Sequence, residues 1–447
     1  MKTELSGHYT ARRLALTSIP LIGMMIITSI YTVVDGFFVS NFAGSTEFAA
    51  MNLIWPVLGL VSALGLMIGS GGSALVSKTF GEGNKEKANE IFSQLIVVCL
   101  VLGAIVEVIL FVFMRPIALM LGAEGEMIGH AVTYGRIVVC AMPLFIIQMA
   151  FQSFYMTAER PQLGTRMSII CGCLNISLDA LFIIGFGWGL KGAAIATAIS
   201  LSAGGLYPLI RFSSRRNSSQ LRLVRVSGPD WKSIGKSCTN GLSEYVGNAS
   251  LNIVSIGYNL QLMRYVGEDG VSAYGVIMYV GFIFSAVFIG YNLCVSQVIA
   301  YNYGAGNHEE LRSLLRKSLK IITLTSIVLS GLAELSAPWL SSVFVGYNPH
   351  LVELTTRAIR IYMLSFLLCG FNMFCSAWFT AFGNGIISAI AAFTRTLVFE
   401  LATVFILPSI LGIDGIWSAV CVAEILAFTM SCALVLAYRK RYLYPLD

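Results

Sequence analysis

The sequence has 447 residues, of which 56% are hydrophobic and only 12% are charged, and its formal net charge is +6. Soluble domains contain about a quarter charged residues, so this composition excludes an ordinary water-soluble protein. The positive charge does not indicate nucleic-acid binding, because it is concentrated in alternate loops between long apolar stretches. The sequence therefore predicts a polytopic membrane protein.

Twelve apolar stretches are predicted as membrane-spanning helices, since crossing the hydrocarbon core takes about 20 residues. Helices are favoured over strands because a lipid-exposed strand edge would leave backbone groups unpaired. The fold class is thus an all-α membrane protein. The predicted spans are residues 14–39, 48–77, 91–114, 128–155, 162–186, 190–211, 234–263, 270–301, 312–335, 352–381, 385–409 and 414–438.

The distribution of basic residues predicts the orientation. Outside the predicted spans, 15 Lys and Arg residues lie at the two termini and in the alternate loops, whereas the opposite loops contain only Arg115 and Arg264. The positive-inside rule then places both termini in the cytoplasm and the chain in the cell inner membrane. The first apolar stretch is too long for a signal peptide and has no small-residue cleavage site, so it is predicted as an uncleaved span.

An internal repeat appears at a constant offset of 223 residues. Gly81 aligns with Gly304 and Asn84 with Asn307, and further matches follow along most of each half. This duplication predicts two parallel six-helix lobes, residues 1–212 and 234–447, joined by a cytoplasmic linker over residues 213–233. Repeats of this kind place a binding cavity between the lobes. A duplicated scaffold without a transport role is the alternative.

Residue sets typical of enzymes and metalloproteins are missing from the sequence. The 10 cysteines contain no C-x-x-C pair, and there is no H-E-x-x-H, G-x-S-x-G or complete phosphate-loop motif. We therefore expect no enzymatic activity, no metal, no cofactor and no nucleic-acid partner. A channel is an alternative, but duplicated lobes with unpaired carboxylates favour a carrier.

Ionisable residues at membrane depth are candidate functional residues, because they are costly unless paired or hydrated. Asp35 and Asp179 fall roughly 10 Å below the outer surface at 1.5 Å per residue. Asn175 lies one turn from Asp179, and Thr197 lies at a similar depth on the sixth span. These oxygen ligands suit a hard cation or a shared proton. Alternatively, Asp35 caps its helix and Asp179 bonds to neighbouring backbone.

The C-terminal half contains a different set of charges. At the 223-residue offset Tyr258 stands opposite Asp35, and apolar residues stand opposite the other three, so that constellation is predicted only for the N-terminal lobe. Arg395 is expected to neutralise Glu400 or Glu424 in a buried ion pair, and this structural role is favoured over ion transport. The C-lobe candidates are Glu244, Arg395, Glu400 and Glu424.

Proline in the middle of the first span, at Pro20, removes a backbone hydrogen bond and permits bending. It is interpreted either as a static kink or as a hinge that couples protonation of Asp35 to the shape of the cavity.

Motifs along nearly the whole chain support a family resemblance. They include SIPLIGMMIITSIYTVVDGFFVSNFAG, MIGSGGSALVSKTFGEGNKEKA and NISLDALFIIGFGWGLKGAAIATAIS in the first half, and GLSEYVGNASLNIVSIGYNLQLM and LGIDGIWSAVCVAE in the second. With these motifs the chain resembles the multidrug and toxic compound extrusion (MATE) family, and most of all its DinF-like and MepA-like bacterial branch.

The resemblance implies a MATE fold and an antiporter that exports amphiphilic, often cationic compounds in exchange for H⁺ or Na⁺. It also implies a bending role for Pro20, and Glu244 resembles a glutamate used by the family's other major branch. The residues that match the N-lobe cation site of the resembled branch are Asp35, Asn175, Asp179 and Thr197.

Further expectations are a monomer and coupling to H⁺, since two aspartates in a dry layer would readily share a proton. The alternative function is a lipid-linked oligosaccharide flippase. It is disfavoured because its diphosphate calls for basic residues in the cavity, and few are available outside the loops.

Overall fold

The computed structural model describes residues 4–42, 44–214, 217, 219–226, 228–346 and 348–443. In the N-terminal half the helices are α1 (Ala11–Phe42), α2 (Ser45–Gly81), α3 (Lys85–Met120), α4 (Glu126–Val139), α5 (Met142–Thr157), α6 (Pro161–Asp179) and α7 (Gly189–Ser213). In the C-terminal half they are α8 (Trp231–Asn240), α9 (Leu242–Tyr265), α10 (Glu268–Gly304), α11 (His308–Val345), α12 (Pro349–Met363), α13 (Phe366–Ala381), α14 (Gly385–Phe393), α15 (Leu401–Ile406), α16 (Pro408–Leu411) and α17 (Ile413–Leu443). Two π-helical turns, Ala180–Gly185 and Thr394–Glu400, follow α6 and α14.

The number of spans agrees with the twelve-helix prediction. Within the described ranges, nine spans are long and apolar enough to cross a membrane. Two more are bent pairs, α4 with α5 at 62° and α12 with α13 at 45°. The twelfth is α9, which has 24 residues but is less apolar because Glu244, Asn248 and Asn252 recur at four-residue intervals. The all-α membrane fold is therefore confirmed.

Several predicted helices are interrupted in the structure. The fourth predicted span breaks before α5, where Pro143 cannot continue the preceding helix because it lacks a backbone N–H. The seventh breaks at Gly241, where α8 ends and α9 begins. A Cβ on Gly241 would collide with the Met67 carbonyl oxygen of α2, so glycine permits this close approach. Binary patterning does not show such breaks, because the apolar run continues through them.

The crossing of α2 and α10 relates the two halves. A Cβ on Gly81 would collide with the Tyr301 carbonyl oxygen, and one on Gly304 would collide with the Lys78 carbonyl oxygen. At the offset of 223 residues, Gly81 is equivalent to Gly304 and Lys78 is equivalent to Tyr301. The two helices therefore pack by reciprocal contacts, as a pseudo-two-fold relation between the halves requires.

Polar contacts join the halves at one end of the bundle, where α1 begins at Ala11 and α2 ends; we call this the lower end. Ser77 donates to Gln297 Oε1 at 3.0 Å, and Thr157 donates to the same oxygen at 3.3 Å. All three side chains are buried. Among the described residues, the hydrogen bonds and ion pairs between the halves all lie at this end.

Residues 4–10, which we call the strap, also connect the halves. The Leu5 N–H donates to Glu159 Oε1 at 2.8 Å in the N-terminal half. The Tyr9 N–H donates to Glu310 Oε1 at 3.0 Å, and His8 Nδ1 lies 2.6 Å from Glu310 Oε2. Leu5 and Tyr9 are buried, as is Glu310. The strap therefore contributes to the packing of both halves before α1 begins.

We expect Glu310→Ala to lower the midpoint of thermal unfolding in detergent. The variant leaves the buried Tyr9 N–H without an acceptor, which costs about 1–3 kcal/mol. Glu309→Ala is the matched control, because the neighbouring Glu309 is exposed. Equal midpoints for the two variants would contradict a stabilising role of the strap.

The segment between α7 and α8 is docked on the lower end of α3. The Val224 N–H donates to Ser93 Oγ at 2.8 Å, and the Asp230 N–H donates to Gln94 Oε1 at 3.1 Å. Asp230 then caps α8 by accepting from the Ser233 N–H at 3.1 Å and from Lys87 Nζ at 3.1 Å. Hydrogen bonds from Ser233, with the charge of Lys87, lower the pKa of Asp230 to about 2.

We expect Asp230→Asn to lower the thermal midpoint at pH 7, because the ionised carboxylate is the better partner for Lys87 and the α8 N-terminus. A depressed pKa stabilises the folded state above the unfolded value near 4. The difference between wild type and variant should therefore shrink as the pH falls from about 4 towards 2. Glu86→Gln, at an exposed position on α3, should show no such change. A difference that stayed constant with pH would contradict the assignment.

Candidate functional site

Two aspartates from separate helices of the N-terminal half meet near its upper end. Asp35 lies seven residues before the end of α1, and Asp179 is the last residue of α6. The two carboxylates are within hydrogen-bonding range of each other, and the Asn175 side chain is within range of Asp35. Asp179 and Asn175 are almost fully buried. The π-helical turn that follows Asp179 is a feature common at functional sites.

Thr197 on α7 completes the predicted set, and α4 adds a residue that the sequence did not indicate. The Tyr134 hydroxyl lies near Thr197 and near both aspartates. Tyr134 is fully buried. A single tyrosine in an apolar span carries no signal of its own, because the fold alone brings α4 against α7.

Unsatisfied oxygen atoms are the distinctive feature of this site. Neither aspartate forms an ion pair with any Lys, Arg or His in the part of the chain that the structure describes. Buried polar atoms are normally hydrogen-bonded, so a cluster of six oxygen atoms without a hydrogen-bond partner is chemically suited to a cation or a proton. The buried side-chain oxygens of this cluster that lack a partner among the described residues are Asp35 Oδ1, Asp179 Oδ1 and Oδ2, Asn175 Oδ1, Thr197 Oγ1 and the Tyr134 hydroxyl.

The C-terminal half contains a closed ion pair. Arg395 donates to Glu424 Oε1 from Nε at 2.8 Å and from Nη2 at 2.6 Å. Asn372 Nδ2 donates to Glu424 Oε2 at 2.6 Å, and Ser431 donates to Asn372 Oδ1 at 2.9 Å. Both carboxylate oxygens of Glu424 are thus satisfied, and its side chain is 5% exposed.

The structure does not bring the other predicted residues into this network. Glu244 is exposed in the first turn of α9, and its carbonyl accepts a hydrogen bond from Asn248 at 2.8 Å. Glu400 ends the second π-helical turn and has no ion-pair partner within the described segments. Pro20 lies inside α1, which continues through it, and its carbonyl accepts a hydrogen bond from Thr165.

We expect Arg395→Met to destabilise the protein by about 3–5 kcal/mol, because it leaves Glu424 as an uncompensated buried charge. The double variant Arg395→Met/Glu424→Met should lose less stability than this single variant. Arg357→Met is the control, since Arg357 pairs with Asp414 on the surface, where both side chains are well exposed and such pairs contribute little. Thermal unfolding in detergent measures all three, and similar losses for Arg395→Met and Arg357→Met would contradict the prediction.

Comparisons with known proteins agree with the geometry. The family model described as MatE matches residues 20–181 and 245–406. Among curated relatives, the multidrug export protein MepA of Staphylococcus haemolyticus is 24% identical over 424 residues, covering 95% of this chain and 93% of the relative. MepA of Staphylococcus aureus strain NCTC 8325 is likewise 24% identical, over 425 residues, with the same coverage of both chains.

Solved structures show the same fold. A multidrug resistance MATE family transporter in an outward-facing conformation superimposes with a TM-score of 0.91 at 22% identity, covering 98% of this chain and 99% of that one. A MATE crystal structure in complex with MaL6 has a TM-score of 0.90 at 22% identity, covering 97% and 98% of the two chains.

Proposed function

We propose that this chain, which belongs to the MatE family, exports amphiphilic organic cations and is driven by cation entry at the N-lobe aspartates. The curated relatives, which are multidrug export proteins of nearly the same length, support export of several compounds; the amphiphilic, cationic class is what the family resemblance implies. The observation that carries the coupling proposal is the meeting of Asp35 and Asp179 in a buried cluster where no described basic residue pairs with them.

The charge of this cluster couples cation binding to the conformation of the N-terminal half. Two like charges about 4 Å apart repel by roughly 4 kcal/mol at an effective dielectric constant near 20. A proton or Na⁺ removes that repulsion, so the packed arrangement of α1 against α6 is favoured when the cation is bound. Loss of the cation favours a different arrangement, and the cation shifts the equilibrium by its difference in affinity for the two. We favour H⁺, because one proton shared by two carboxylates suffices.

Pro20 couples this change to the interface between the halves. The next residues of α1, Leu21 and Ile22, pack directly on Gly290 of α10. A bend at Pro20 would move the part of α1 that contains Asp35 relative to this contact, so Pro20 acts as the hinge. Alternation between two arrangements of such lobes is the usual basis of secondary transport.

We assign the lower end to the cytoplasm, since the loops at that end contain most of the Lys and Arg residues. The protein then resides in the cell inner membrane with both termini inside. The contacts between the halves at the lower end correspond to a state that is closed towards the cytoplasm.

We expect Asp35→Asn and Asp179→Asn each to reduce gradient-driven efflux of a fluorescent lipophilic cation by roughly tenfold or more, and the double variant to abolish it. The measurement uses proteoliposomes in which a pH gradient and a Na⁺ gradient are imposed separately. Glu107→Gln is the control, because Glu107 lies in α3 and makes no ion pair with any described residue.

Efflux that persisted in the double variant would overturn the coupling proposal. Efflux supported by the Na⁺ gradient alone would show that the coupling ion is Na⁺ and not H⁺. Dye flux that was independent of both gradients would favour a channel. An effect on cell-envelope precursors without any dye transport would favour the oligosaccharide flippase.

A further inference from the structure

The C-terminal half contains a group of three neighbouring charged residues, one basic and two acidic, so one carboxylate has no basic partner. Arg395 donates to Glu424 from Nε and Nη2, and Nη2 also donates to Cys369 Sγ at 3.3 Å. Glu424 also accepts from Asn372. Glu400 lies close enough to interact with both charged residues but forms no ion pair within the described chain. The group of three charged residues therefore has a net charge of −1 when all are ionised, and Glu400 is the residue without a partner.

Glu400 faces a buried hydroxyl that also has no partner. The Tyr258 side chain is fully buried, its hydroxyl lies in range of the Glu400 carboxylate, and no described group hydrogen-bonds to that hydroxyl. The Tyr258 ring is fixed by stacking on Tyr274, with ring centroids 4.8 Å apart. A buried hydroxyl without a partner is costly, and the Glu400 carboxyl group is an acceptor that lies in its range.

The position of this pair repeats the N-lobe site. At the offset of 223 residues Tyr258 stands opposite Asp35, and Glu400 stands opposite Ser177, between the equivalents of Asn175 and Asp179. The π-helical turn that ends at Glu400 changes the direction of side chains relative to a regular α-helix. In the N-terminal half, α1 and α6 therefore place two acidic side chains side by side. At the equivalent place in the C-terminal half, α9 contributes a tyrosine and the π-helical turn contributes one acidic side chain.

The surroundings favour a proton over a larger cation. Na⁺ needs several oxygen ligands, whereas both oxygens of the neighbouring Glu424 carboxylate are already taken by Arg395 and Asn372. A proton needs only the Glu400 carboxylate, which is half-buried. The titratable and charged groups that face it from the packed elements are Arg395 of the same turn, Glu424 of α17, Tyr258 of α9, Tyr274 of α10, Tyr362 of α12 and Cys369 of α13.

We propose that Glu400, facing Tyr258, is a second protonation site of this transporter, which binds one proton in addition to the cation held by the N-lobe aspartates. Protonation makes the three-residue group neutral, and a protonated Glu400 can donate a hydrogen bond to the Tyr258 hydroxyl oxygen as well as accept one from it. The transport role of this site rests on the proposed function, but the binding of the proton does not.

Infrared difference spectroscopy of the full-length protein, perfused between two pH values, tests proton binding directly. Protonated carboxyl groups give a C=O stretching band that Glu400→Gln should lack, while Asp35→Asn/Asp179→Asn should retain the Glu400 band. Glu400→Asp keeps a carboxyl group and should retain a shifted band. Tyr258→Phe should move the band to higher frequency, because one hydrogen bond to the carbonyl is lost. Glu107→Gln again serves as the control.

The outcomes separate this proposal from the N-lobe one. An unchanged spectrum in Glu400→Gln would overturn it, and so would loss of the band on adding Na⁺ at constant pH, which would assign the site to sodium. In proteoliposomes, Glu400→Gln should lower the number of protons exchanged per substrate by one, and an unchanged ratio would overturn the transport role. If the N-lobe double variant transported normally while the Glu400 band persisted, only the N-lobe proposal would fail.

Discussion

The cost of an uncompensated charge inside a membrane protein is the constraint on which this structure depends. Asp35 and Asp179 meet without a basic partner among the described residues, and Glu424 is held by Arg395 and Asn372. Under the proposed function, the first arrangement binds a mobile cation, whereas the second is neutralised within the protein. Burial therefore has different consequences in the two halves: two carboxylates without a basic partner in one, and in the other an ion pair that fixes the packing of α17 against the π-helical turn.

Duplication supplies the scaffold but does not determine the chemistry. The reciprocal contacts of Gly81 and Gly304 show that both halves pack with the same backbone geometry at the lower end. Small residues are needed there because the helices approach to backbone contact. Side chains at equivalent depths are free of that requirement, so one half can place Asp35 where the other has Tyr258.

The sequence predicted the membrane class, the number of spans and the family, since length, apolar patterning and motif content determine them. The family model confirms the resemblance. A transporter family also agrees with the expected lack of enzymatic activity. Tyr134 was missed, because its proximity to Thr197 arises only when α4 packs on α7. The two π-helical turns were missed as well, since one extra residue in a turn leaves no trace in the apolar pattern. The choice of Arg395 between two glutamates likewise needed three-dimensional distances.

The strap also has a consequence for biosynthesis. Residues 8 and 9 leave the ribosome some 300 positions before their acceptor, Glu310. At a translation rate of roughly 5–20 residues per second, Glu310 is synthesised on the order of 15–60 s after them. Throughout that interval the first half is inserted without one of its lasting connections to the second. Assembly of the lower end is thus a late event, completed only after α11 has been translated.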